Sequence, residues 1–171
     1  MVLLQHYQSL TQSVLRAMTL VAILLETARF IIPHWQKFLK RLTFFKMEEK
    51  NGRLTGAFYF AVGALAAVTF FPRDTALVSL AVLSFADPLA AIVGRLKPVK
   101  AIYRDKSLGG SLFFLIVAVF FLSLYSSFSV VMVLVLALAI TLVELISPAN
   151  VENTLLAIIS AILVESAKHF L

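Results

Sequence analysis

Apolar residues run through this chain in long, nearly uninterrupted blocks, and polar residues are confined to the stretches between them. Blocks at about 11–32, 54–71, 75–93, 109–126, 129–146 and 153–168 each approach the roughly 20 residues a helix needs to cross the hydrocarbon layer. The first and last blocks are interrupted, one by Arg16, Glu26 and Arg29, the other by Glu165 and Lys168. Some connections are tight: Pro72-Arg73-Asp74 follows the second block, and serines around 126–129 follow the fourth. Between Pro33 and Arg53 the pattern changes. Trp35, Phe38, Leu39, Leu42 and Phe45 recur at helical spacing, with Lys37, Lys40, Arg41 and Lys46 between them. That spacing predicts a basic amphipathic helix lying in the headgroup plane, with an ordinary solvated linker as the plain alternative. The pattern predicts an all-α fold: a polytopic integral membrane helical bundle of about six transmembrane helices plus the interfacial helix, forming one domain over 1–171.

Composition agrees. The 171 residues are 61% hydrophobic, against about 45–50% in soluble domains. No cysteine is present, which excludes disulfides, iron–sulfur ligation and thiol catalysis. The start lacks a basic stretch and a small-residue cleavage site, so the first block is expected to be a retained span rather than a leader.

Charge fixes orientation. No lysine or arginine lies between Lys106 and Lys168. Basic residues instead crowd into Lys37–Arg53 and Arg95–Lys106. Basic loops stay on the cytoplasmic side, so six crossings would leave both termini on the opposite side. A formal net charge of +6 would suggest nucleic acid in a soluble protein. Here the cations flank membrane spans, so anionic headgroups or a soluble polyphosphate are the expected partners and nucleic acid is not.

Ionisable residues within apolar blocks are costly and invite a functional account. Glu26 and Arg29 (i, i+3), Asp87 and Glu144 all fall within roughly 10 Å of the same predicted membrane face, given a 1.5 Å rise per residue. Glu26 and Arg29 either neutralise each other or contribute to a site, and Glu144 either snorkels to water or turns inward. Asp87 is harder to explain as structure, having no basic neighbour within a turn. Pro88 removes a backbone donor beside it, and Ser84, Asp87, Ala91 and Gly94 would share one small, polar face suited to close packing or to a cation.

The following loop carries the opposite charge. Gly94-Arg95 closes the third block, and Lys106-Ser107-Leu108-Gly109-Gly110-Ser111 opens the fourth. Glycines, a lysine and a serine at a helix start form a candidate anion cradle, or merely a turn. In the last loop, Asn150, Glu152 and Asn153 are either oxygen ligands or helix caps.

At these residues the chain resembles the CTP-dependent lipid-alcohol kinases: dolichol kinase, phytol kinase and CTP-dependent diacylglycerol kinase. The resemblance runs from about Glu26 to Ile158. It is strongest in Phe85-Ala86-Asp87-Pro88-Leu89-Ala90-Ala91-Ile92-Val93-Gly94-Arg95 and in Lys106-Ser107-Leu108-Gly109-Gly110-Ser111, which are similar to the family's Asp-x-x-Ala-x-x-x-Gly-Arg and Lys-Ser-x-x-Gly-Ser segments. Thr141-Leu142-Val143-Glu144 and Glu152-Asn153 agree more weakly. The chain departs from the family at Gly109, where Glu is usual, and at Lys97-Pro98, where a second glycine is usual. An Arg-Lys pair followed by His also has no counterpart around Gln5-His6.

The resemblance implies phosphoryl transfer from CTP to the hydroxyl of a membrane lipid alcohol (a polyprenol, phytol or diacylglycerol), giving lipid phosphate and CDP. Catalytic roles fall to Asp87, Lys106 and Glu144. Mg²⁺ is expected on Asp87, Glu144, Glu152 and Asn153. Nucleotide contacts are expected from Gly94, Arg95, Lys106, Ser107, Gly109 and Gly110. No residue stands out as general base. The related phosphatidate cytidylyltransferases share the Asp…Gly-Arg…Lys layout but follow the lysine with Thr and an aromatic residue. A CTP:lipid-phosphate cytidylyltransferase is therefore the near alternative, and a non-enzymatic transport or assembly subunit the distant one. Small residues around Gly56, Gly63 and Ala67 suit packing within one bundle or in a homo-oligomer.

Overall fold

Proline and serine set the helix starts in this chain. Pro72 precedes the helix that begins at Arg73, where its missing N–H costs nothing. Ser107 and Ser129 cap two further helices, their hydroxyls accepting from the backbone N–H groups of Gly110 at 3.1 Å and Met132 at 3.3 Å. The structure is a computed structural model and describes residues 10, 13–14, 16–25, 28, 56–96, 101–103, 106–124, 128–148 and 151–170. The predicted amphipathic helix over Pro33–Arg53, and Glu26 and Arg29, lie outside them.

Among the described residues there are six helices: α1 (Arg16–Leu25), α2 (Gly56–Phe70), α3 (Arg73–Leu96), α4 (Leu108–Ser123), α5 (Val130–Ile146) and α6 (Glu152–Lys168). They coincide with the six apolar blocks, and the all-α expectation holds. One addition was not legible: a short antiparallel hairpin of β1 (Ala101–Tyr103) and β2 (Lys106–Ser107), pairing Ala101 with Ser107 and Tyr103 with Lys106. Its second strand, β2, leads directly into α4.

Short connections make α2 to α6 run alternately up and down. The first part of α3 packs on α6 and its second part on α4, while α4 packs on α5, α5 on α6 and α6 on α2. Val82, Leu83, Phe114, Leu122, Ile140 and Leu156 fill the centre. The outer faces remain apolar: Leu112, Ile116, Phe120, Val131, Val135 and Leu138 are all exposed. Among the described residues, Arg73–Leu96 is long and apolar enough to cross a membrane, and Arg16–Leu25, Phe58–Phe70, Leu108–Ser123 and Val130–Ile146 are shorter apolar helices.

α3 is not uniform. Val82–Ala86 forms a π-helical segment between the α-helical stretches Arg73–Ala81 and Asp87–Leu96. Pro88 has no N–H for the carbonyl four residues back and its ring crowds that carbonyl, so a widened turn here relieves the clash. The wider turn rotates the residues before it. Ser84 is exposed instead of sharing the face of Asp87, Ala91 and Gly94, which corrects the four-residue stripe expected from an unbroken helix.

At the end of the bundle remote from Asp87, Lys168 bonds Asp74 and Glu165, each at 3.0 Å, and Thr75 donates to Glu165 at 2.5 Å. This cluster fastens the start of α3 to the end of α6. Gly63 fastens α2 to α6: a Cβ there would stand 2.9 Å from the Thr154 Cα and 3.1 Å from both the Ala157 Cβ and the Asn153 carbonyl oxygen. The small-residue face at Gly63 therefore packs within one chain. Because backbone atoms cannot yield as a side-chain tip can, Gly63→Ala is expected to destabilise the protein by about 1–3 kcal/mol. Thermal unfolding checks this, and a midpoint equal to wild type would contradict it.

Candidate active site

Three helix ends and the β-hairpin meet at one end of the bundle. Asp87 comes from α3 just after the π segment, Glu144 from the last turn of α5, Glu152 from the first turn of α6, and Lys106 from β2. Carboxylate oxygens of Asp87, Glu144 and Glu152 all lie within 4.8 Å of one another. Glu144 is only 2% exposed. Its place at a helix C-terminus is electrostatically poor for a carboxylate, whereas Glu152 at an N-terminus is well placed.

Lys106 holds the two glutamates together. Its Nζ donates to Glu144 Oε1 at 2.5 Å and to Glu152 Oε1. Burial works to lower the pKa of Lys106, but its hydrogen bonds and charge pairing with Glu144 and Glu152 outweigh burial and raise it above the ordinary lysine value. The ammonium is therefore charged throughout the physiological range. A raised pKa means that its contribution to stability is complete below the ordinary lysine value and is lost only as pH climbs through the raised one.

A cavity of about 250 Å³ opens beside the cluster, lined by Asp87, Ala90, Ala91, Gly94, Arg95, Lys106, Ser107, Gly110, Ser111 and Glu144. Glu144 lines this cavity, and its Oε2 is buried and has no hydrogen-bond partner among the described residues. Among the described residues no hydrogen bond ties Asp87 to a neighbour either. Three carboxylates against one ammonium leave a formal charge of −2. A hard divalent cation of the Mg²⁺ type, which takes oxygen ligands, fits that deficit and the unpartnered oxygen. Asp87, Glu144 and Glu152 are the residues that would hold it.

Most of the sequence-predicted residues converge. Asp87, Gly94, Arg95, Lys106, Ser107, Gly110 and Glu144 line one cavity, and Glu152 completes the cluster. Two residues stand apart. Asn153 is turned about 100° from Glu152 on its helix and donates its amide to the Gly56 carbonyl at 3.2 Å. It serves the α2–α6 contact rather than the carboxylates or a helix cap. Gly109 is not part of the cavity wall.

The other glycines have a packing duty that sequence reasoning assigned to phosphate approach. A Cβ on Gly94 would lie 2.8 Å from Ser107 Oγ, and one on Gly110 would lie 3.0 Å from the Ala90 carbonyl. Both residues let α3 and the start of α4 close on each other around the Ser107 hydroxyl. Ser111, which lines the same cavity and whose hydroxyl is buried, was missed as a site residue. Its signal was present, one turn into α4 behind Lys106-Ser107. Lys97, Lys100, Arg104 and Asn150 lie outside the described residues.

Comparison with known proteins supports the family resemblance. Over 100 residues the chain is 36% identical to CTP-dependent diacylglycerol kinase 1 of Eremothecium gossypii, a match covering 57% of this chain and 32% of that protein. The chain therefore spans about a third of the relative's length. No family model matches the chain, and no solved structure does. The chain is similar to a CTP-dependent lipid kinase, and the matched protein's name specifies diacylglycerol as the acceptor.

Proposed function

We propose that this chain forms the catalytic membrane domain of a CTP-dependent lipid kinase, transferring the terminal phosphoryl group of CTP to the hydroxyl of a lipid alcohol. The observation that carries the reading is the convergence of Asp87, Glu144 and Glu152 from three helices on one cluster, beside a cavity that Lys106 and Arg95 help to line. Phosphoryl transfer asks mainly for in-line positioning and neutralisation of phosphate charge. Bound Mg²⁺ would supply that neutralisation on the phosphate oxygens. Arg95 lines the cavity as a cation for the polyphosphate, and Lys106 keeps Glu144 and Glu152 in register. In the reaction the lipid oxygen–phosphorus bond forms, the bond from phosphorus to the bridging oxygen of CDP breaks, and the hydroxyl proton passes to a base. Asp87 takes that proton only if the other carboxylates carry the cation.

A volume of 250 Å³ falls below the about 300–1,000 Å³ of a site that encloses a whole ligand. It suits the reacting phosphates, with the nucleoside and lipid chain extending beyond it. Apolar exposed faces on α4 and α5 support a multi-pass membrane setting, and the basic loops support a cytoplasmic active-site face. Diacylglycerol is the leading acceptor because the relative's name specifies it, with polyprenol and phytol as the other members of the class.

The test is incubation of the purified protein with γ-labelled CTP, Mg²⁺ and diacylglycerol, dolichol or phytol. Label in a lipid phosphate together with CDP is expected. Pyrophosphate release with the cytidylyl group on a lipid phosphate would assign it to the cytidylyltransferases instead, and no turnover of any acceptor would remove the reading.

A further inference from the structure

Ser111 carries a hydroxyl that the fold does not use. Several hydroxyls in these helices bond back to a carbonyl one turn earlier: Ser79 to Thr75, Thr141 to Ala137, and Ser147 to Val143, at 2.6–2.8 Å. This is the ordinary way a serine or threonine satisfies itself inside a helix. Ser111 and Ser160 do not do so, and of the two it is Ser111 that lines the cavity beside Lys106. Its Oγ is buried and unpartnered, on a residue that lines the cavity beside Lys106 and Glu144. The residue four positions earlier is Ser107, the extended N-cap of α4, whose own hydroxyl is engaged by the Gly110 N–H.

A buried hydroxyl without a partner costs free energy, and an alanine would avoid that cost. The second unpartnered buried atom of the same cavity is Glu144 Oε2. The two orphans differ in what they lack. An ionised carboxylate oxygen is an acceptor only and calls for a cation or donor, whereas a hydroxyl can give a proton to an anion. A cation with a phosphate bound to it satisfies both, and Arg95 in the same wall adds positive charge on the phosphate side. We infer that Ser111 is a phosphate-contacting residue whose hydroxyl donates to an oxygen of the nucleotide's polyphosphate. This rests on the CTP-dependent reading and deepens it, adding a ligand that the sequence did not single out.

The experiment follows thermal unfolding of the full chain in detergent micelles, for wild type, Ser111→Ala and Ser111→Thr. Mg²⁺ is held constant while CTP or inorganic triphosphate is titrated. Without nucleotide or triphosphate, Ser111→Ala is expected to be at least as stable as wild type, because an unsatisfied polar group has been removed. Its midpoints for both CTP and triphosphate should rise about tenfold or more, the scale of one hydrogen bond to a charged group. Ser111→Thr, which keeps the hydroxyl, should stay within a few-fold of wild type.

If Ser111→Ala responds to both probes as wild type does, this inference is overturned and the CTP-dependent reading stands. Loss of the CTP response alone, with the triphosphate response intact, would place the contact on the nucleoside and also overturn it. Lower stability of Ser111→Ala without either probe would show a structural role and count against it equally. If wild type responds to neither probe, the parent reading fails and this inference goes with it.

Discussion

Asp87→Asn is expected to reduce CTP-dependent lipid phosphorylation by at least about a hundred- to a thousand-fold, the scale of removing one electrostatic contributor to a transition state. Asparagine keeps the shape of the side chain and discards the charge that a divalent cation needs. Stability should not fall with activity. Among the described residues Asp87 has no hydrogen-bond partner, and it faces two other carboxylates within 4.8 Å. Neutralising it in the cation-free protein removes the cost of burying its charge and its repulsion of the two glutamates, which outweigh the lost attraction to Lys106, so the unfolding midpoint should stay level or rise. A gain in stability coupled to a loss of function is what a group held in place for chemistry produces. Activity assays and thermal unfolding on the same preparation check both halves. Substantial activity in Asp87→Asn would remove the centre of the scheme.

The helices were legible because apolar blocks separated by short polar turns have few alternatives, and their boundaries follow proline and serine starts. The meeting of Asp87, Lys106, Glu144 and Glu152 was legible for a related reason. Alternating helices joined by short connections place the end of α3, the start of α4, the end of α5 and the start of α6 on one side of the bundle. What escaped was local geometry that depends on neighbours. An ideal helical period put Ser84 with Asp87, but the π segment before Pro88 broke that period. Asn153 lies next to Glu152 in sequence yet faces α2, a direction set by helix packing.

The hairpin of Ala101–Tyr103 with Lys106–Ser107 is too short to leave an alternating apolar pattern. Gly94 and Gly110 were singled out correctly as places where something approaches closely. The approaching group in the structure is the Ser107 hydroxyl for Gly94 and the Ala90 carbonyl for Gly110. A sequence shows that a glycine is needed more readily than it shows what the glycine admits. Ser111 was passed over for the converse reason. A serine near a helix start is ordinarily self-satisfied, and only coordinates reveal that this one is not.

Lys106→Met should be the most disruptive single change to stability at the site. The lysine is the group that bonds both Glu144 and Glu152, and the Glu144 side chain is 3% exposed. Removing the cation leaves a carboxylate that can neither reach water nor find a counter-charge, and breaking a buried pair from one side costs about 3–5 kcal/mol. The loss should be partly reversible by Mg²⁺, because a divalent cation supplies to the same oxygens the charge that lysine no longer gives. Stability of the variant should therefore depend on Mg²⁺ much more steeply than that of wild type.

Lys106→Met combined with Glu144→Gln removes the stranded charge as well. The double variant should recover much of the stability yet remain inactive, since it lacks one of the three carboxylates that would hold the cation and the lysine that positions the glutamates. A double-mutant cycle of thermal stability with and without Mg²⁺ measures the coupling. Strict additivity, or a Lys106→Met protein as stable as wild type in chelator, would mean that lysine and glutamates do not act together. In that case the carboxylates would be tolerated in the bundle for some reason other than a shared cation site.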